Sequence, residues 1–251
     1  MPRLCFVLAL GVLGCPTPKV CGPQGQVDLT ACAQYVASND LERAKVRCDL
    51  ALQYCPDDAD VHTNLGLIAM AENRWPDARA SFVKALHLNP DESAAHNDLG
   101  SVYEHDGDLA HARESYERAL QVNPRYTIAR YNLGRVAVKL GDRAGGRKAF
   151  LTITETDPSV ADAWHALGAL DLEDGQLDRA EEEVHHAVQL SPQYTDAWQT
   201  LGAVELARAR GCAAQEAFAA CLRLEPNRPE CRNGIGQAQT QCAAQPADVR
   251  R

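Results

Sequence analysis

The chain has 251 residues, 45% of them hydrophobic and 24% charged, which suits a packed soluble core and excludes a disordered or fibrous chain. A net charge of −9 argues against nucleic acid as a partner. No apolar run approaches the roughly 20 residues that a membrane-spanning helix needs.

The first residues depart from this average. Arg3 gives a short positive start, and Leu4 to Leu13 is an uncharged apolar run. Residues 1–14 therefore read as a signal segment. The run ends in Val12-Leu13-Gly14-Cys15, which resembles the bacterial lipobox. That resemblance implies cleavage before Cys15 and lipidation of this cysteine, palmitate included. Pro16, where an inner-membrane protein would carry Asp, implies the outer membrane, periplasmic side. Residues 15–25 then read as a lipidated N-terminus and tether. An ordinary signal peptide with an unmodified Cys15 is the alternative.

Next comes a strict period. Pro56, Pro90, Pro124, Pro158, Pro192 and Pro226 stand 34 residues apart. A fixed period means one supersecondary unit copied along the chain. Leu-Gly recurs at Leu65-Gly66, Leu99-Gly100, Leu133-Gly134, Leu167-Gly168 and Leu201-Gly202. Twelve residues after each Gly stands a small residue (Ala78, Ala112, Gly146, Ala180, Ala214). A large one follows four later (Phe82, Tyr116, Phe150, Val184, Phe218). Apolar residues fall at helical spacing within each copy. Asn73, Asp106-Gly107, Gly141-Asp142 and Asp174-Gly175 mark turns between paired helices. This resembles the tetratricopeptide repeat, and Trp164, Trp198 and Tyr103 supply further residues of its pattern. The resemblance implies an all-α, right-handed superhelical solenoid. It comprises six helix pairs over 26–228, a capping helix over 229–242 and a flexible tail over 243–251.

Cysteines mark the two ends. Apart from Cys5 and Cys15 there are eight: Cys21, Cys32, Cys48 and Cys55, then Cys212, Cys221, Cys231 and Cys242. Each set of four allows three pairings. Residues equidistant from a hairpin turn lie side by side in antiparallel helices. With turns near Asn39 and Pro226, the expected pairs are Cys21–Cys55, Cys32–Cys48, Cys212–Cys242 and Cys221–Cys231. An exported chain favours disulfides, and no C-x2-C spacing suggests zinc.

Nucleotide loops, zinc-protease motifs and nucleophile elbows are all missing from the sequence. Neither enzyme activity, cofactor nor metal is expected. His185-His186 follows three glutamates, but adjacent histidines on a helix point about 100° apart and do not share an ion. Residues 125–148 hold seven cationic side chains against one acid, Asp142. Such an island could dock an acidic peptide or remain an ordinary solvated face. Gly145-Gly146 and a run of threonines predict that the helix there is the softest in the chain.

The repeat resemblance implies that the first helix of each copy lines a groove for a protein partner. The candidate residues are Met70 and Glu104, then Tyr131, Arg135, Val138 and Lys139, then His165 and Leu172, then Gln199 and Leu206. The carboxylate clamp of chaperone-binding relatives is not reproduced: Thr63, Leu67, Asp98 and Asp162 hold several of its places. A lipobox followed by six copies is similar to the pilotin lipoproteins of type IV pilus systems, which implies a role in assembling an outer-membrane secretin. A scaffold recruiting peptidoglycan enzymes and a periplasmic chaperone or sorting factor are the alternatives.

Overall fold

The computed structural model describes residues 21–244. The signal segment, Cys15 with its expected lipid, and the tail beyond 244 lie outside the described residues. All regular structure among the described residues is α-helical. The described residues divide into two compact units, 21–102 and 103–244.

The first unit contains α1 (Pro23–Ala37), α2 (Leu41–Tyr54), α3 (Ala59–Ala71) and α4 (Trp75–Leu88), and most of α5 (Ser93–His105). Helix α1 starts at Pro23, inside the stretch 15–25 expected to be tether. Proline suits that position because its ring fixes a helical φ and its missing N–H would have no partner there.

The second unit holds the end of α5, then α6 (Leu109–Val122), α7 (Thr127–Lys139), α8 (Arg143–Thr156) and α9 (Ala161–Glu173). It continues with α10 (Leu177–Leu190), α11 (Thr195–Ala207), α12 (Gly211–Leu224) and α13 (Pro229–Ala244).

Within a pair, glycine lets the backbones approach. A Cβ added to Gly66 would stand 2.6 Å from the ring of Phe82, so the Leu-Gly position and the aromatic sixteen residues later are one packing device. Gly134 meets Phe150 and Gly202 meets Phe218 in the same way, each at 2.7 Å. Phe82 and Tyr116 are fully buried.

The turns between paired helices share one conformation. Asn39, Asn73, Gly107, Gly141, Gly175 and Ala209 all take positive φ, at 34-residue intervals. Glycine and asparagine tolerate this region; Ala209 does so against its Cβ. Asp40, Asp108 and Asp142 then cap the following helix, accepting from the backbone N–H three residues on.

The ruler prolines have a further role. Each gives its carbonyl to a side-chain donor six residues later. The donors are His62, His96, Arg130, Trp164, Trp198 and Arg232. Every copy after the first therefore has a stitch across the entry to its first helix, and so does the capping helix α13 at its own entry.

The cysteines come together as nested pairs. In the first unit the Cα atoms of Cys21 and Cys55 are 4.9 Å apart and those of Cys32 and Cys48 5.0 Å. In the second, Cys212 and Cys242 are 4.6 Å apart and Cys221 and Cys231 6.4 Å. All four pairs place their sulfurs at bonding distance. Gly25 makes room at one end, since any Cβ there would overlap the sulfur of Cys55. Gly211 does so at the other, against the backbone at Gln241 and Cys242.

Candidate functional site

In the first unit, α1, α3 and Glu92 line an open groove of about 520 Å³. Leu29, Ala33 and Ala37 give it an apolar wall, and Asp60, Thr63, Asn64 and Glu92 a polar one. The hydroxyl of Thr63 donates to the Glu92 carboxylate at 3.0 Å. Burial, with repulsion from Asp60, Asp98 and Asp58, raises the Glu92 carboxyl above its ordinary range. Burial pushes Asp98 up to about 6. Met70, the one candidate that α3 contributes, is half-buried. Sequence reading missed this groove because α1 belongs to the weakest copy, where the repeat signal is faint.

In the second unit the α7 candidates Tyr131, Arg135 and Lys139, spaced four residues apart, form one stripe whose cations have a partner of their own. Arg135 and Lys139 both pair with one oxygen of Glu104, at 2.7 and 2.6 Å. The other oxygen accepts from the buried Tyr116 hydroxyl at 3.1 Å. Three candidates thus converge, and the stripe is partly neutralised rather than bare.

Two more cations of the island are also paired. Arg143 bonds Glu173 and Asp174, and Arg147 bonds Asp171 and Asp174. Acids of α9 and its turn therefore answer two of the seven cations in residues 125–148, and Glu104 answers two more. Only local sequence was counted in reading an island; a solenoid brings in charges about 30 positions away.

Helix α8 keeps its full length from Arg143 to Thr156. Gly146 is a packing position, because a Cβ there would stand 2.9 Å from the carbonyl of Gly134 and overlap Val138. Val138 packs on the Phe150 cluster.

The remaining candidates sit on α9 and α11. His165 is held at both ring nitrogens, Nδ1 with the Tyr194 hydroxyl at 3.0 Å and Nε2 with Thr200 at 2.9 Å. Burial lowers its pKa, so it is a neutral, oriented hydrogen-bonding group. Burial likewise raises the Tyr131 and Tyr194 hydroxyls. Leu172 is half-buried. Gln199 accepts from Arg228 at 2.7 Å, and Leu206 packs on the Phe218 cluster. Tyr194, Thr200 and Arg228 were not anticipated; they lie outside the groove positions of the repeat pattern.

Behind this face lies a buried acidic pair. Asp171, fully buried, takes Arg147 at 2.5 Å and Arg179 at 3.2 Å. Glu183 is buried beside it. Burial first, and the Asp171 charge second, push Glu183 up to about 7. With its pKa raised this far, Glu183 can carry a proton near neutral pH.

This arrangement offers apolar surface, oriented hydroxyls and a half-compensated cationic pair. It can hold a peptide. Among the described residues, no helix is long and apolar enough to cross a membrane.

The comparisons agree with this fold. The tetratricopeptide repeat profile matches residues 63–127 and again 103–170. No sequence relative is found among curated proteins. Among solved structures, PilF of Pseudomonas aeruginosa is similar with a TM-score of 0.77 at 18% identity, covering 85% of this chain and 97% of that one. PilW, described as a widely conserved type IV pilus biogenesis factor, gives 0.74 at 19%, covering 84% and 98%. YrrB, a repeat protein with an unusual peptide-binding site, gives 0.60 at 21%, covering 75% and 97%. At these identities the likeness shows the fold. The chain carries tetratricopeptide repeats, and proteins of this fold are generally non-catalytic scaffolds that bind protein partners.

Proposed function

We infer that this tetratricopeptide-repeat chain is an outer-membrane lipoprotein, anchored through Cys15 on the periplasmic side, that helps a secretin assemble during type IV pilus biogenesis. The observation that carries this reading is the match to PilF and PilW over nearly their whole lengths, 97% and 98%. Two features of this chain support it. The lipobox supplies a membrane anchor without a spanning helix. Four cysteine pairs at bonding distance suit disulfides in an oxidising compartment.

The partner surface follows from the sites above. In the second unit, Tyr131, Val138, Leu172 and Leu206 give apolar contact. Arg135 and Lys139 receive an acidic group, and His165 and Gln199 add directed hydrogen bonds. A segment of the secretin with acidic and apolar residues fits this face.

The test is deletion of the gene followed by electrophoresis of envelope secretin multimers. Their loss, restored by the parent gene and not by Arg135→Glu/Lys139→Glu, is the expected result. Intact multimers without the protein would overturn the pilus reading. Labelled palmitate entering the parent but not Cys15→Ala checks the anchor.

A further inference from the structure

We propose that Glu181, His185 and Glu205 form a binding site for a divalent cation of the zinc class, in which the metal displaces the guanidinium of Arg210. Each of the three offers a ligand atom, and these atoms lie within 4.8 Å of one another. The spacing has a simple origin. Glu181 and His185 stand four apart on one face of α10, and α11 delivers Glu205 from the next copy. The pairing of His185 with His186 was the wrong geometry to consider. His186 turns away to stack on Trp164, ring centres 4.7 Å apart.

A positive charge already occupies the point of convergence. Arg210 Nη1 lies 2.6 Å from Glu181 and 3.5 Å from Glu205. The second contact is long for a charge-assisted hydrogen bond, so the guanidinium bridges the carboxylates incompletely. Its side chain is 44% exposed and can move into water at little cost. Glu205 is only 4% exposed, so one ligand is fixed by packing before any ion arrives. Arg208 Nε lies 3.0 Å from the other oxygen of Glu181, an ion pair outside the point of convergence.

His185 has no hydrogen-bond partner among the described residues, and its ring is exposed. A cavity of about 310 Å³ opens beside His185 and Glu205, giving room for water to complete a coordination shell. Two carboxylates and one imidazole suit zinc, and with Arg210 withdrawn they balance its charge. Bonds of about 2.0–2.2 Å require the donors to close to roughly 3.4 Å, a movement that the exposed His185 ring and the Glu181 side chain can make.

The experiment uses the untagged full chain, with any free thiols alkylated, titrated with Zn²⁺ by calorimetry and with Co²⁺ by visible absorption. One ion per chain with nitrogen–oxygen coordination is expected. His185→Ala should weaken binding by at least about tenfold, as the loss of a ligand must. His186→Ala should leave it unchanged. Arg210→Gln should tighten it, because the competing cation is gone; a surface that binds metal nonspecifically would not respond this way. Circular dichroism confirms that each variant is folded. Equal affinity in His185→Ala and the parent, or failure of Arg210→Gln to tighten binding, overturns the proposal.

Discussion

Trp164 donates its indole N–H to the carbonyl of Pro158 at 2.9 Å, and Trp198 does the same to Pro192 at the same distance. The tryptophan of the repeat pattern is thus more than bulk. It closes the loop that the proline opens. Trp164→Phe keeps an aromatic ring but removes the donor and part of the packing on Val184 and His186, so it should lower stability by about 1–2 kcal/mol, the bond itself contributing the smaller share because water can partly replace it. Urea unfolding of the two proteins measures this; an unchanged midpoint would mean the bond adds nothing.

The turn at Ala209 carries strain that its five counterparts avoid. Its φ is +60°, where asparagine or glycine stands in the other copies. Ala209→Gly should stabilise the second unit by about 0.5–1 kcal/mol, since relief of the Cβ clash outweighs the added freedom of the unfolded chain. The same change at an ordinary helical alanine, Ala180, should destabilise. Thermal unfolding distinguishes the two signs.

Glu183 makes stability depend on pH. Its folded pKa of about 7 lies above the ordinary glutamate value of 4.5. The folded chain therefore binds the proton more tightly than the unfolded one. Stability is full below pH 4.5 and is lost as pH rises toward 7. Glu183→Gln mimics the protonated acid beside Asp171, Arg147 and Arg179. It should match the parent near pH 4.5 and exceed it at pH 8 by on the order of 1–2 kcal/mol. Denaturation at both pH values checks this, and parallel curves would refute it.

Glu104 limits how strongly the α7 cations act on a partner. Glu104→Gln should leave Arg135 and Lys139 freer and increase affinity for an acidic peptide. It should cost modest stability, because Tyr116 loses a charged acceptor. Fluorescence titration with an acidic peptide and its neutral amide analogue, against Arg135→Glu/Lys139→Glu as the opposite case, reads the effect.

The cysteine pairs make an end-specific prediction. If all four are bonded, reduction removes about 2–4 kcal/mol for each cross-link. Gly25→Ala should hinder closure of Cys21–Cys55 while leaving Cys212–Cys242 intact, because its Cβ would occupy the place of the Cys55 sulfur. Thiol counting and non-reducing peptide mapping report both.

The helix pairs were legible because their signals are local and repeated: Pro56 and its successors, the Leu-Gly dipeptides, and the aromatic opposite each glycine. The nested cysteine pairs followed from hairpin symmetry for the same reason. What sequence could not show were meetings between copies. Glu104 reaching Arg135 and Lys139, Asp174 reaching Arg143 and Arg147, and Glu205 reaching His185 each depend on how neighbouring helices stack. A window on local sequence sees an excess of charge at 125–148; the fold compensates four of its seven cations. Similarly, helix propensity alone could not show that Gly146 faces the Gly134 carbonyl.

The proline stitches bear on how such a chain can change its length. Donor and acceptor are six residues apart, so a segment cut from one proline to the residue before the next takes its own bond with it. Duplicating or deleting such a 34-residue cassette leaves no orphaned carbonyl and no stranded donor. Because histidine, arginine and tryptophan all serve as donors, a copy can also drift in sequence without losing its closure. Copy number is then free to follow the size of the partner, while the cysteine-paired ends stay in place.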